Sequence, residues 1–174
     1  GQQLRTTTSA IPDAVAKAIR EETLLVSIMH VNNEVGSIQP IDEVVESIRK
    51  YNLDHAARIK FHVDGVQSFG KYPFPKGVDL YSFSGHKING LKGSGGLYVK
   101  NGINLTPLFE GGEQENAIRP GTENILGITA LGKATEVTFA NQSAYNAHAQ
   151  KLNHAMRQVF EKDSWCNINS FDGS

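Results

Sequence analysis

Residues 40–64, PIDEVVESIRKYNLDHAARIKFHVD, change period partway along, and the change decides the fold class. In the first half Ile41, Val44, Val45, Ile48 and Tyr51 recur at intervals of three and four behind Pro40, the pattern of an amphipathic helix that opens on a proline. In the second half IKFHVD is a short β-branched and aromatic run, the pattern of a buried strand. The same alternation extends outward. IPDAVAKAIREE (11–22) predicts a helix after Thr and Ser residues able to cap it, and LLVSIMH (24–30) a strand. VDLYSFS (78–84) and GGLYVK (95–100) predict two further strands, the last closed by the turn dipeptide Asn101-Gly102. Alternating helices and strands predict an α/β fold with a mostly parallel sheet flanked by helices.

Past residue 122 the alternation stops. Ile125, Leu126, Ile128 and Leu131 predict one helix, and Tyr145, Ala149, Leu152, Ala155, Met156 and Val159 trace the apolar stripe of a longer one, read as a packing face for the smaller domain or a second subunit. The tail DSWCNINSFDGS (163–174) is expected to begin another strand. The domain reading is therefore residues 1–140 as part of a ligand-binding large domain, and 141–174 as a connecting helix and the start of a smaller domain.

Bulk composition narrows the function. The chain has 174 residues, with 17 Lys+Arg against 18 Asp+Glu and a net charge of -1. Such a balance offers no field for a polyanion, so nucleic-acid binding is not expected. No apolar run reaches the length of a membrane span and the first residues lack a signal-peptide plan, so a cytoplasmic location is expected. A single cysteine, Cys166, excludes an internal disulfide and any multi-cysteine zinc site. It is read as a small packed side chain.

Three predicted strands end in polar residues: HVNNEVG, HVDGVQS and SFSGHK. Ligands of open α/β sheets bind at the carboxyl ends of strands, so Asn33, Asp64, Gln67, Ser84, His86 and Lys87 are expected around one crevice. One lysine, one carboxylate, amides and small hydroxyls suit pyridoxal phosphate, which requires a lysine amine, a carboxylate for its pyridine nitrogen and donors for its phosphate. Asn32 is read as a turn residue, and His30, His55 and His62 as core or surface histidines, because no close His or carboxylate spacing favours a metal. GLKGSGG lacks the order of a phosphate loop and precedes a strand, so it is read as a turn.

Four ordered blocks, SIMHVNNEVGSIQPI, FHVDGVQSFGK, DLYSFSGHKINGLKGSGGLYV and GGEQENAIRPGTENILGITALGKA, resemble the cysteine desulfurases of the IscS/NifS type, in the class V aminotransferase group. The resemblance implies the large-domain fold of pyridoxal phosphate-dependent transferases, here incomplete. It implies that Lys87 is the cofactor-linked lysine, Asp64 the partner of the pyridinium nitrogen, Gln67 and Asn33 contacts of the ring hydroxyl, and Ser84 and His86 phosphate ligands. Thr122 matches a residue that reaches the phosphate of the partner subunit, which implies a homodimer. The implied reaction converts L-cysteine to alanine, passing sulfur through an enzyme cysteine to an acceptor or scaffold protein for iron-sulfur clusters or RNA thiolation. The family's persulfide cysteine, its substrate-carboxylate arginine, its first phosphate loop and the histidine that stacks on the ring have no counterpart among these residues. The segment alone is therefore expected not to complete sulfur transfer. Another class V enzyme, an aminotransferase or a selenocysteine lyase, and a noncatalytic dimerising module are the alternatives.

Overall fold

The computed structural model describes residues 11–170, so the Thr and Ser residues expected to cap the first helix lie outside the described residues. The chain runs α1 (Ile11–Ala18), β1 (Leu25–Met29), α2 (Ile41–Asp54), β2 (Lys60–Asp64), β3 (Leu80–Ser84), a 3-10 helix (Gly85–Ile88), β4 (Gly95–Val99), α3 (Ile125–Ala140) and α4 (Gln142–Phe160). One sheet carries the strands in the order β1-β2-β3-β4. The first three are parallel, with Ser27 opposite His62 and Asp64 opposite Ser82, and β4 returns antiparallel along β3. The reversal has a simple cause. Only residues 85–94 join β3 to β4, too few for the helical crossover that a parallel return requires.

The period switch that opens the sequence builds the core. Ile41, Val44 and Ile48 of α2 lie against Phe61 and Val63 of β2 and Tyr81 of β3, all buried, with Ile59 and Val78 completing the cluster. Side chains alternate across a strand, so while Phe61, Val63 and Tyr81 enter this core, His62, Asp64 and Ser82 share the opposite face. Ile11 and Val15 of α1 pack on the same cluster from its edge.

Gly65, directly after β2, exists to admit Tyr81. A Cβ at this glycine would collide with the Tyr81 ring and hydroxyl, and that hydroxyl is bonded to Ser68 Oγ at 2.8 Å in the core. Gly65→Ala is expected to lower stability by about 1–3 kcal/mol, the range for overpacking a filled interior. In the double variant Gly65→Ala, Tyr81→Leu the removed ring leaves room for the methyl group, so urea midpoints should be subadditive. Strict additivity would place the cost of Gly65→Ala in the backbone instead.

One expectation fails beyond α3. Residues 163–170 form turns and irregular chain rather than the expected strand, with Cys166 partly buried. A strand needs a free sheet edge to pair with, and β1 and β4, the edges here, carry none of this segment. The stripe of α4 is present as a helix face, but none of its residues is buried: Tyr145, Leu152, Met156 and Val159 are each at least half exposed among the described residues. Its periodicity fixed the helix and could not supply a packing partner.

Candidate functional site

The three strand ends are tied together through the backbone. His30 N donates to Asp64 O at 2.9 Å, joining the end of β1 to that of β2, and Gly65 N donates to Ser82 O at 2.9 Å, joining β2 to β3. The loops carrying Asn33, Asp64, Gln67, Ser84, His86 and Lys87 therefore leave the sheet at one edge, as the polar strand ends predict.

Each loop is built to present its residue. After β1, Asn32 Oδ1 accepts from Glu34 N at 2.9 Å and Val35 N at 3.0 Å, and this side-chain turn leaves Asn33 exposed at its tip. Asn32 thus has the turn role read for it. After β2, Asp64 Oδ1 accepts from Val66 N at 3.0 Å, which closes the turn and leaves the second carboxylate oxygen available. Gln67 follows on that turn, half-buried. After β3 the 3-10 helix is anchored by Ile88, which is 2 % exposed and whose carbonyl accepts from Thr138 Oγ1 at 3.4 Å. Asn89, at φ 64°, ends the helix in the left-handed region. With Ile88 pinned beneath, His86 and Lys87 face outward, and Ser84 precedes them with no capping hydrogen bond on its hydroxyl.

Neither Lys87 nor Asp64 forms an ion pair among the described residues, whose salt bridges all lie elsewhere. A free amine and a carboxylate with an open oxygen, on neighbouring strand ends with amides and a hydroxyl beside them, form a donor set that fits a phosphorylated pyridine aldehyde: one group to bond it, one to oppose a cationic ring nitrogen, and neutral donors for its oxygens.

Thr122 stands apart. It lies exposed in the segment before α3, past a left-handed turn at Glu115, Asn116 and Ala117, and Gln114 Oε1 ties this segment by accepting from Gly121 N at 3.2 Å. No hydrogen bond among the described residues joins Thr122 to the other six.

Two residues in the region escaped the sequence reading. Lys71 is half-buried, and its ammonium is held below the usual lysine range by burial and then by the charge of Lys87. Its carbonyl accepts from Asn146 of α4, while Gly70 beside it, at φ 74°, packs on Thr138 and Ile88. A left-handed glycine ahead of a lysine was the available signal. His62 was read only as a core or surface histidine. Its ring bonds Ser27 and Ser82 on the face that carries Asp64.

Burial pushes the imidazoles of His30 and His62 below their ordinary 6.5, opposed by Asp42 and Asp64 respectively. The unfolded chain then binds more protons below about pH 6.5 than the folded one, so this contribution to stability is complete above that pH and lost as pH falls toward the lowered folded values. Urea midpoints should decline from about pH 7.5 to about pH 5.5, and His62→Gln should flatten the slope. A midpoint that rises over this interval would contradict the burial of both rings.

The family model for aminotransferase class V matches residues 3–171. Cysteine desulfurase IscS of Methanosarcina thermophila is 46% identical over 144 residues, 81% of this chain and 34% of that protein. Cysteine desulfurase IscS of Dictyoglomus turgidum is 47% identical over 131 residues, 74% of this chain and 32% of that protein. The crystal structure of a NifS-like protein from Rickettsia africae superposes with a TM-score of 0.81 at 32% identity, over 95% of this chain and 46% of that one. The chain spans about a third of the length of these curated relatives. A match along nearly all of its length, on a sheet whose strand ends carry a lysine and a carboxylate outside any ion pair among the described residues, means that this chain belongs to the aminotransferase class V family.

Proposed function

We propose that the chain carries the lysine-bearing part of a pyridoxal phosphate site, and that the protein is a cysteine desulfurase releasing alanine from L-cysteine. The observation that carries this reading is that Lys87, outside any ion pair among the described residues, and Asp64, with one carboxylate oxygen open, stand at adjacent strand ends. The names of the relatives support the substrate.

When bound, pyridoxal phosphate supplies an electron sink for bonds at the substrate's alpha carbon. Lys87 Nζ would be the point of covalent attachment and, as a free amine, the base that holds the alpha proton. The open oxygen of Asp64 would oppose the ring nitrogen and favour its protonated form. Asn33 and Gln67 would orient the ring through its hydroxyl oxygen, and Ser84 with His86 would hold the phosphate. Thr122, which shares no hydrogen bond with these six among the described residues, would contact the phosphate of a second subunit, and exposed Leu126, Leu152 and Met156 suit a homodimer contact. Residues 141–174 are assigned as a connecting helix and the start of a smaller domain. A sulfur acceptor or scaffold protein is the onward partner, in the cytoplasm. Among the described residues no helix is long and apolar enough to cross a membrane.

The test is to supply the full protein that carries this chain with pyridoxal phosphate, L-cysteine and a thiol reductant, which takes the persulfide sulfur off as sulfide, and to measure alanine and sulfide. Their equimolar release supports the reading. Amino transfer to a keto acid without sulfide overturns it.

A further inference from the structure

His62 lies outside the ligand set, yet it occupies the rung beneath Asp64 on the same face of the sheet. Residues two apart on a strand share a face, and the register sets Ser27 opposite His62 on one side and Ser82 opposite Asp64 on the other. The ring spans both gaps. Nδ1 is bonded to Ser27 Oγ at 2.7 Å and Nε2 to Ser82 Oγ at 3.2 Å, so one side chain links β1, β2 and β3. Backbone ladders join strands in pairs and leave their twist and lateral spacing soft, whereas a planar ring bonded at both ends fixes three at once.

We propose that His62 is a positioning residue for Asp64, an imidazole strap that sets the spacing of the three strand ends from which the site is built. This rests on the cofactor reading of Asp64 above. A neutral imidazole has one N–H donor and one acceptor, and a serine hydroxyl can take either role, so both serines are satisfied whichever tautomer is present. Burial disfavours the charged ring and Asp64 partly opposes this, which keeps the strap in its neutral form at neutral pH. Immediately above it, Asp64 is held among the described residues by the turn bond from Val66 N and the bond from His30 N to its carbonyl, with Gly65 N bonding Ser82 O beside it. A carboxylate that must meet a ring nitrogen tolerates about half an ångström of error, and the strap limits that error in the lateral direction.

The test uses the full protein that carries this chain, and reads the dissociation constant of pyridoxal phosphate alongside the unfolding midpoint of the cofactor-free protein. His62→Leu removes both bonds and should weaken cofactor binding about tenfold, the equivalent of two imperfectly replaced hydrogen bonds. His62→Gln, which can donate and accept across the same gap, should recover most of that loss. In an Asp64→Asn background the effect of His62→Leu should fall to about twofold or less, because a residue acting through Asp64 has little left to position. An equal loss in both backgrounds, or a fall in the unfolding midpoint with unchanged cofactor affinity, would overturn the proposal and leave His62 a general sheet brace. If His62→Leu does not fold, Ser82→Ala removes one arm of the strap and is read in the same cycle by the same criteria. Absence of cofactor binding by the unmodified protein would defeat the functional reading, and this proposal with it; normal binding with no dependence on His62 would defeat this proposal alone.

Discussion

Lys87→Ala is expected to leave the full protein colourless in pyridoxal phosphate and to cut alanine release from L-cysteine by at least about 10³-fold, since both the covalent attachment and the proton carrier are removed. The fold should hardly notice. Lys87 is exposed, it has no ion pair among the described residues, and its 3-10 helix is anchored by buried Ile88 and the bond from Thr138. A change in unfolding free energy within about 0.5 kcal/mol is therefore expected, as for other surface substitutions. Lys87→Arg separates charge from chemistry. It keeps a cation on the same turn, but a guanidinium does not give up its proton and so cannot be the attachment point. If Lys87→Arg retains the visible absorbance and turnover, Lys87 is an electrostatic neighbour of the site, and the covalent role is wrong.

The elements legible in sequence were those whose signal is periodic. The switch from the helical spacing of Ile41, Val44 and Ile48 to the run IKFHVD fixed α2, β2 and the face they share, because both periods are repeated often enough to be read without context. The 3-10 helix Gly85–Ile88 has no such repeat, being a single turn. Its existence depends on Ile88 finding a buried seat under α3, a tertiary fact. The direction of β4 was recoverable from the ten-residue link at 85–94, since connection length alone forbids a parallel return. The candidate site divides in the same way. Polar residues at strand ends marked Asn33, Asp64 and Lys87, whereas the place of His62 depends on which residues stand opposite it on β1 and β3. That register is set by the packed face, and the bridge to Ser27 and Ser82 follows from it. The apolar stripe of α4 shows the opposite limit: its period is plain, but a period names a face and not what covers it.

Asp64 carries two tasks that one substitution can separate. Its Oδ1 closes the turn after β2 by accepting from Val66 N, and its charge is assigned to the cofactor's ring nitrogen. Asn at position 64 has a carbonyl oxygen for the turn and no charge for the ring. Asp64→Asn should therefore leave the unfolding free energy within about 0.5 kcal/mol, because the turn bond and the backbone bond from His30 N both survive. Turnover should fall by about 10²–10³-fold, the loss typical of removing one charged group aimed at the reacting system. Cofactor affinity should drop by about tenfold, since a charge-assisted bond contributes roughly 1.5–3 kcal/mol and a neutral amide restores part of it. The ring of His62 provides a readout independent of activity. The charge of Asp64 now raises the proton affinity of His62 against its burial, so the His62 titration, followed by nuclear magnetic resonance, should move to lower pH in Asp64→Asn. Asp64→Ala removes the turn acceptor as well, and should lose stability that Asp64→Asn retains, by about 1 kcal/mol. Near-normal turnover in Asp64→Asn, with the His62 shift present, would confine Asp64 to the turn and place the partner of the ring nitrogen elsewhere.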